Sequence, residues 1–250
     1  MRVLLINPNT SEGLTDRLAA AARGAAAAGT TVDCATAPRG VPYISTRSEA
    51  LVGGLCALEI LAERHQDYDA AIVAAFGDPG LGAARELFDI PIVGMSEAGM
   101  LTACMLGGRF AIVTFAQALG PWYRECVAWH RLESRCAGIR MLDSTFRSIT
   151  EVQEEKESLL VDLANRAVAE DEADVVVLAG APLAGLAAKV RDRIPVPVVD
   201  CAAAAVKQAE ALIALNPRSA EAGSFRRPGA KESIGIHPAL AARIAHRPWS

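Results

Sequence analysis

The sequence predicts an α/β protein of two pseudo-symmetric, doubly wound lobes, with mostly parallel sheets and a cleft between the lobes. Three observations predict it. First, eight short apolar runs alternate with helix-length stretches along 250 residues, and strand–helix–strand alternation builds parallel sheets. Second, the apolar runs are continuous rather than alternating, as in strands covered on both faces. Third, residues 69–94 (DAAIVAAFGDPGLGAARELFDIPIVG) resemble residues 174–200 (DVVVLAGAPLAGLAAKVRDRIPVPVVD). Each reads Asp, buried strand, Gly/Pro turn, Gly-Leu, Ala-Ala, a basic residue, then Ile-Pro or Val-Pro and another strand, so one copy anchors each lobe.

In chain order, strands are expected over 3–6, 31–34, 70–75, 91–94, 110–115, 139–142, 174–179 and 196–199. Helices are expected over 11–27, 46–66, 80–88, 97–106, 120–131, 150–170, 183–192 and 201–214. Thr10 and Ser11 precede the first helix and Glu12 lies in its first turn, a capped start facing the positive end of the helix dipole. Ser148 and Thr150 introduce the long acidic helix, with Glu151, Glu154 and Glu155 at its start. Lobe 1 is expected over 1–97 plus 200–250 and lobe 2 over 98–199, with crossings near 95–98 and 198–202. The stretch 216–250, with Pro217, Pro228, Pro238 and Pro248, reads as a less regular tail that wraps lobe 1 or joins a subunit contact.

Composition narrows the function. Ala dominates, with Leu the next most common apolar side chain, while aromatics make up 5%, which suits helices packed closely on a sheet. The net charge of −4 comes with no basic stripe, so nucleic acid is not an expected partner. No apolar run approaches the roughly 18 residues of a membrane span, and MRVLLINPNTSEGL turns polar too early for a secretory leader. Cys34, Cys56, Cys104, Cys126, Cys136 and Cys201 are dispersed without zinc spacing and read as reduced thiols of a cytoplasmic protein. His65, His130, His237 and His246 have no mutual spacing that suggests a metal site or a triad. Neither metal nor cofactor is expected.

Ligands of open parallel sheets bind beyond the carboxyl ends of the strands, so the turns after Ala75 and Ala179 should face each other across the cleft. Asn7, Asn9 and Thr10, in INPNTS (Ile6–Ser11), stand between a strand end and a helix start, where amides and free N–H groups hold an oxygen. FGDPGL (Phe76–Leu81) supplies Gly77 and Gly80 for a sharp turn, Pro79 for a first helical turn, and Asp78 as a cap of that helix or an acid–base carboxylate. GMSEA (Gly94–Ala98) places Ser96 and Glu97 at the next strand end, with Glu97 either a dipole partner or a base for water. Tyr43 and Ser45 in VPYIS, and Arg47 just after it, are placed to close over a ligand.

Together with GAPLAGLA (Gly180–Ala187), these stretches resemble the hydantoin-racemase branch of the aspartate/glutamate racemase superfamily, in order and spacing, from residue 1 to about 215. The resemblance implies two α/β lobes, no cofactor or metal, a small-molecule substrate with chemistry beside a carbonyl, and a homo-oligomer. It also implies that Thr114 in RFAIVTF holds a substrate oxygen, and that Phe76, Gly77, Gly180, Ala181 and Pro182 line the substrate site. Similar enzymes carry cysteines where this chain has Ala75 and Ala181. Two-base racemisation needs a thiolate on one face of the carbon and a thiol on the other, and a methyl group does neither. Cys201, at a strand end, and Cys104, one or two turns into a helix, are the substitutes considered.

The expectation drawn is hydrolytic or lyase chemistry on a hydantoin-like imide, thiohydantoin or carboxylate. An example is replacement of a ring C=S by C=O, with Glu97 or Asp78 activating water and the turn N–H groups holding the oxyanion. One alternative is a hydantoin or allantoin racemase inactivated by cysteine-to-alanine changes at 75 and 181. Another is a non-catalytic small-molecule binding protein.

Overall fold

The computed structural model describes residues 1–143 and 145–249. The first sheet contains β1 (Arg2–Asn7), β2 (Thr31–Thr36), β3 (Ala70–Val73) and β4 (Ile92–Gly94), in the order β2-β1-β3-β4. The second contains β5 (Phe110–Thr114), β6 (Cys136–Met141), β7 (Val175–Leu178) and β8 (Val198–Asp200), in the order β6-β5-β7-β8. All six pairings are parallel. The two orders are the same once β1–β4 are matched to β5–β8, so each sheet repeats the other's winding. The central strands β3 and β7 are buried at every residue, which explains why their sequences are unbroken apolar runs.

The helices are α1 (Glu12–Ala25), α2 (Arg47–Arg64), α3 (Leu81–Leu87), α4 (Met95–Leu106), α5 (Gly120–Trp129), α6 (Val152–Asp171), α7 (Leu186–Val190), α8 (Cys201–Leu215) and α9 (Pro238–Ile244). Side chains fix several of their starts. Ser11 accepts from the Leu14 N–H, Thr46 and Glu49 form a reciprocal capping box, and Asp200 accepts from the N–H groups of Ala202 and Ala203. The acidic helix differs in detail: a short 3₁₀ turn over Ile149–Glu151 comes first, and α6 begins only at Val152.

The chain leaves the first sheet through α4 and the second through α8, and these helices pack on each other and on strands of both sheets. The main core is therefore continuous between the lobes, from Val3 and Leu5 through Phe76, Phe115 and Tyr123 to Val177 and Ala205. Leu4 and Ile6 point the other way, into a smaller core under α2, α3 and α9, as the two-residue period of a strand requires.

The tail is more regular than its prolines suggest. Pro238 occupies the first turn of α9, where its missing N–H costs nothing. Ala239 and Leu240 are buried on lobe 1, and Arg243 Nε donates to Leu87 O at 2.6 Å while its guanidinium pairs with Asp89 at 2.6 Å. Among the described residues, no helix is long and apolar enough to cross a membrane.

Candidate active site between the two strand-end turns

The ends of β3 and β7 meet in one small cavity. Ala75 and Phe76 from the first turn, and Gly180, Ala181 and Pro182 from the second, form part of its wall. Asn9, Tyr43 and Ile44 close it from lobe 1, and Phe115, Trp122 and Tyr123 from lobe 2. The wall is aromatic: ring centroids lie 5.8 Å apart for Tyr43 and Phe115, and 4.5 Å apart for Phe76 and Tyr123. The cavity measures about 20 Å³, which is room for about one water.

Glycine makes the turns possible. Gly77 has φ +111°, and a Cβ there would lie 2.2 Å from the Trp122 ring. Gly180 has φ +109°, and a Cβ there would lie 2.8 Å from the Phe115 ring. Both positions need a backbone that side chains rarely adopt, with no room for one.

The expected site residues divide into two groups. Asn9, Ala75, Phe76, Gly180, Ala181 and Pro182 are in the wall. The others brace it. Asn7 is fully buried and its Nδ2 donates to Asn9 Oδ1 at 3.0 Å and Thr15 Oγ1 at 3.0 Å. Thr10 donates its N–H to Val41 O at 2.9 Å, Ser45 Oγ donates to Glu49 at 3.0 Å, and Thr114 Oγ1 donates to Ala179 O at 2.9 Å. Gly77 donates its N–H to Ser96 Oγ at 3.2 Å. Arg47 pairs with Glu125 across the lobes.

The two carboxylates expected to activate water are committed elsewhere, and that expectation is corrected. Asp78 does not cap its own helix; its two oxygens accept the N–H groups of Ser96 and Glu97, both at 2.9 Å, and so cap α4. A Cβ on Gly94 would lie 2.4 Å from Asp78 Cγ, so glycine at 94 admits this cap. Glu97 is held by the Arg85 guanidinium, with one contact at 3.0 Å, and its Oε1 lies 3.6 Å from His130 Nδ1. Neither carboxylate is in the cavity wall.

Neither substitute thiol reaches the cavity. Cys201 Sγ is buried and donates to Leu178 O at 3.3 Å, and burial raises its pKa well above the ordinary thiol value. Cys104 lies in the last turn of α4, outside the wall. The titratable groups left in the wall are the Tyr43 and Tyr123 phenols, both pushed up by burial. The Tyr43 hydroxyl is buried without a protein partner among the described residues, a feature no local sequence signal announces.

One cluster also escapes the sequence reading. Asp78, Cys126 and His130 bring ligand-type atoms within 4.8 Å of one another. Its only local signal is the i, i+4 spacing of Cys126 and His130; Asp78 is distant in sequence. Larger grooves lie outside this cavity, one of about 740 Å³ beside α1 and α7 and one of about 380 Å³ between the 77–83 turn and α5.

The sequence model of the Asp/Glu/hydantoin racemase family matches residues 3–209. The chain belongs to this family. It is 33% identical over 236 residues to a hydantoin racemase of Paenarthrobacter aurescens, covering 94% of this chain and 100% of the relative. Its fold matches the allantoin racemase of Klebsiella pneumoniae with a TM-score of 0.90 at 33% identity, covering 96% of this chain and 98% of that one. The allantoin racemase of Pseudomonas fluorescens matches with a TM-score of 0.86 at 30% identity, covering 94% and 100%. These relatives correct the expectation of hydrolase or lyase chemistry, including desulfurisation: they are named as racemases, which are isomerases, across nearly the whole chain. The expectation rested on two missing sulfurs, whereas the similarity to racemases runs over nearly the whole chain.

Proposed function

We propose that this protein is a hydantoin/allantoin-type racemase whose interlobe cavity recognises a small cyclic ureide and whose proton-transfer pair is silenced by alanine at 75 and 181. The observation that carries the reading is that Ala75 and Ala181, the positions where the family resemblance implies two cysteines, stand in the wall of a single cavity. Inverting a carbon beside a carbonyl takes a base on one face and an acid on the other. With methyl groups in both places, the remaining acids of the wall are the two tyrosines, whose raised pKa values keep them protonated near neutral pH.

Recognition groups are present without the thiols. The Asn9 side-chain hydrogen bonds use Oδ1, which accepts from Ser11 N–H at 2.9 Å and from Asn7 Nδ2, leaving Nδ2 to donate to a ring carbonyl. The Tyr43 hydroxyl is a second donor, and the aromatic wall suits a flat ring. The cavity is smaller than such a ring, so binding requires its wall to open.

The test is restoration. The Ala75→Cys/Ala181→Cys protein, with a 5-substituted hydantoin or allantoin in D₂O, is expected to exchange the ring C–H for deuterium, followed by NMR. Each single variant is expected to be at least about a hundredfold slower, and the unaltered protein silent. A folded double variant that binds the ring and exchanges nothing would sink the proposal.

A further inference from the structure

We propose that Asp78, Cys126 and His130 form a binding site for a thiophilic divalent cation of the Zn²⁺ type, outside the interlobe cavity. The site does not depend on the reading of the cleft given above.

Three arguments carry it. The first is the donor set. A carboxylate, a thiol and an imidazole together match the ligands of zinc rather than of magnesium or calcium. Their atoms already lie within 4.8 Å of one another. His130 Nε2 is 3.3 Å from Asp78 Oδ2, close to the edge of about 3.3 Å that a tetrahedron with bonds of about 2.0–2.1 Å requires. Cys126 and His130 sit one turn apart at the end of α5, so they present to the same side.

The second argument is how the donors are held. Metal-binding histidines characteristically give their other ring nitrogen to a carboxylate. Here His130 Nδ1 lies 3.6 Å from Glu97 Oε1, and Glu97 is in turn fixed by Arg85. Asp78 is aimed by the two N–H groups of α4 and by a left-handed backbone at φ +46°. Ser96 Oγ lies 3.2 Å from Cys126 Sγ. Asp78 and the His130 ring are almost fully buried, with side-chain exposures of 2% and 6%.

The third argument is charge and access. Among the described residues, Asp78 and Glu97 bring two carboxylates to the cluster against one paired guanidinium, that of Arg85, which leaves the cluster negative. Cation binding displaces the proton of the Cys126 thiol to solvent, and the resulting thiolate completes the charge balance. Asp78 and Cys126 both line the groove of about 380 Å³ between the 77–83 turn and α5, which gives the ion a path in and leaves the fourth position to water.

Cobalt(II) tests this on the full chain, because a cysteine ligand gives a thiolate-to-cobalt charge-transfer absorption and tetrahedral coordination gives intense visible bands. Titration is expected to yield both, at one Co²⁺ per chain, and Zn²⁺ to abolish them. Cys126→Ser should remove the charge-transfer band, and His130→Gln should weaken binding at least tenfold. Glu97→Gln should keep the spectrum while weakening binding about tenfold or more, a readout that a merely structural role would not move. Cys201→Ala, as a control, should change nothing. If Cys126→Ser does not fold, the His130→Gln titration decides alone. Absence of the charge-transfer band in the folded protein at excess Co²⁺, its persistence in Cys126→Ser, or unchanged affinity in His130→Gln would overturn the proposal.

Discussion

Tyr43→Phe separates ligand recognition from packing, because it removes one oxygen and keeps the ring. The ring sits 5.8 Å from Phe115 and 6.4 Å from Phe146, centroid to centroid, and phenylalanine keeps both contacts. Deleting a hydroxyl that has a protein partner costs about 1 kcal/mol. This hydroxyl has none among the described residues, and a buried unpaired hydroxyl itself carries a desolvation cost of about 1–3 kcal/mol. The variant is therefore expected to match the parent in stability or to exceed it by about 1 kcal/mol. For a chain of this size that is a rise in Tm of up to about 2–4 °C. Ligand binding should move the other way: losing one donor to a ring carbonyl should weaken hydantoin binding about fivefold to tenfold. Urea unfolding followed by tryptophan fluorescence and titration calorimetry give the two numbers. A stability loss above about 1 kcal/mol, or unchanged affinity in a protein that binds the ring, would refute the reasoning.

Two further predictions concern the turn and the response to pH. Gly77→Ala forces a Cβ to 2.2 Å from the Trp122 ring at φ +111°, so strain of about 1–2 kcal/mol adds to overpacking of about 1–3 kcal/mol. Urea unfolding should show a loss near 3 kcal/mol, and a loss below about 1 kcal/mol would mean the turn is not as tight as described. His65 is buried, and burial first, then the charge of Arg243, lowers its pKa below the ordinary 6.5. A histidine with a depressed folded pKa contributes stability that is fully present above its unfolded value and lost as pH falls through the folded one. Unfolding free energy should thus decline below about pH 6.5, and His65→Gln should flatten that decline; equal slopes in both proteins would contradict it.

Most elements of the fold are legible in the residues alone. Each expected strand and helix lies on an observed element, because burial on two faces, helix-starting caps and glycine turns are local signals. The 69–94 and 174–200 resemblance matches the repeated strand order, and it placed Ala75 and Ala181 at strand ends that share a cavity. The seven-residue α9 stayed hidden because a short helix among prolines leaves little periodicity to read. Where the charges go depends on packing between elements distant in the chain. Asp78 caps a helix that begins 17 residues later, and Glu97 answers to Arg85 and His130 instead of to the cleft. A carboxylate's role depends on which N–H groups and cations lie within hydrogen-bond reach, and that is fixed by how β3, α4 and α5 pack, not by the residues beside it in the chain. The same packing sets the cavity's size and isolates the Tyr43 hydroxyl.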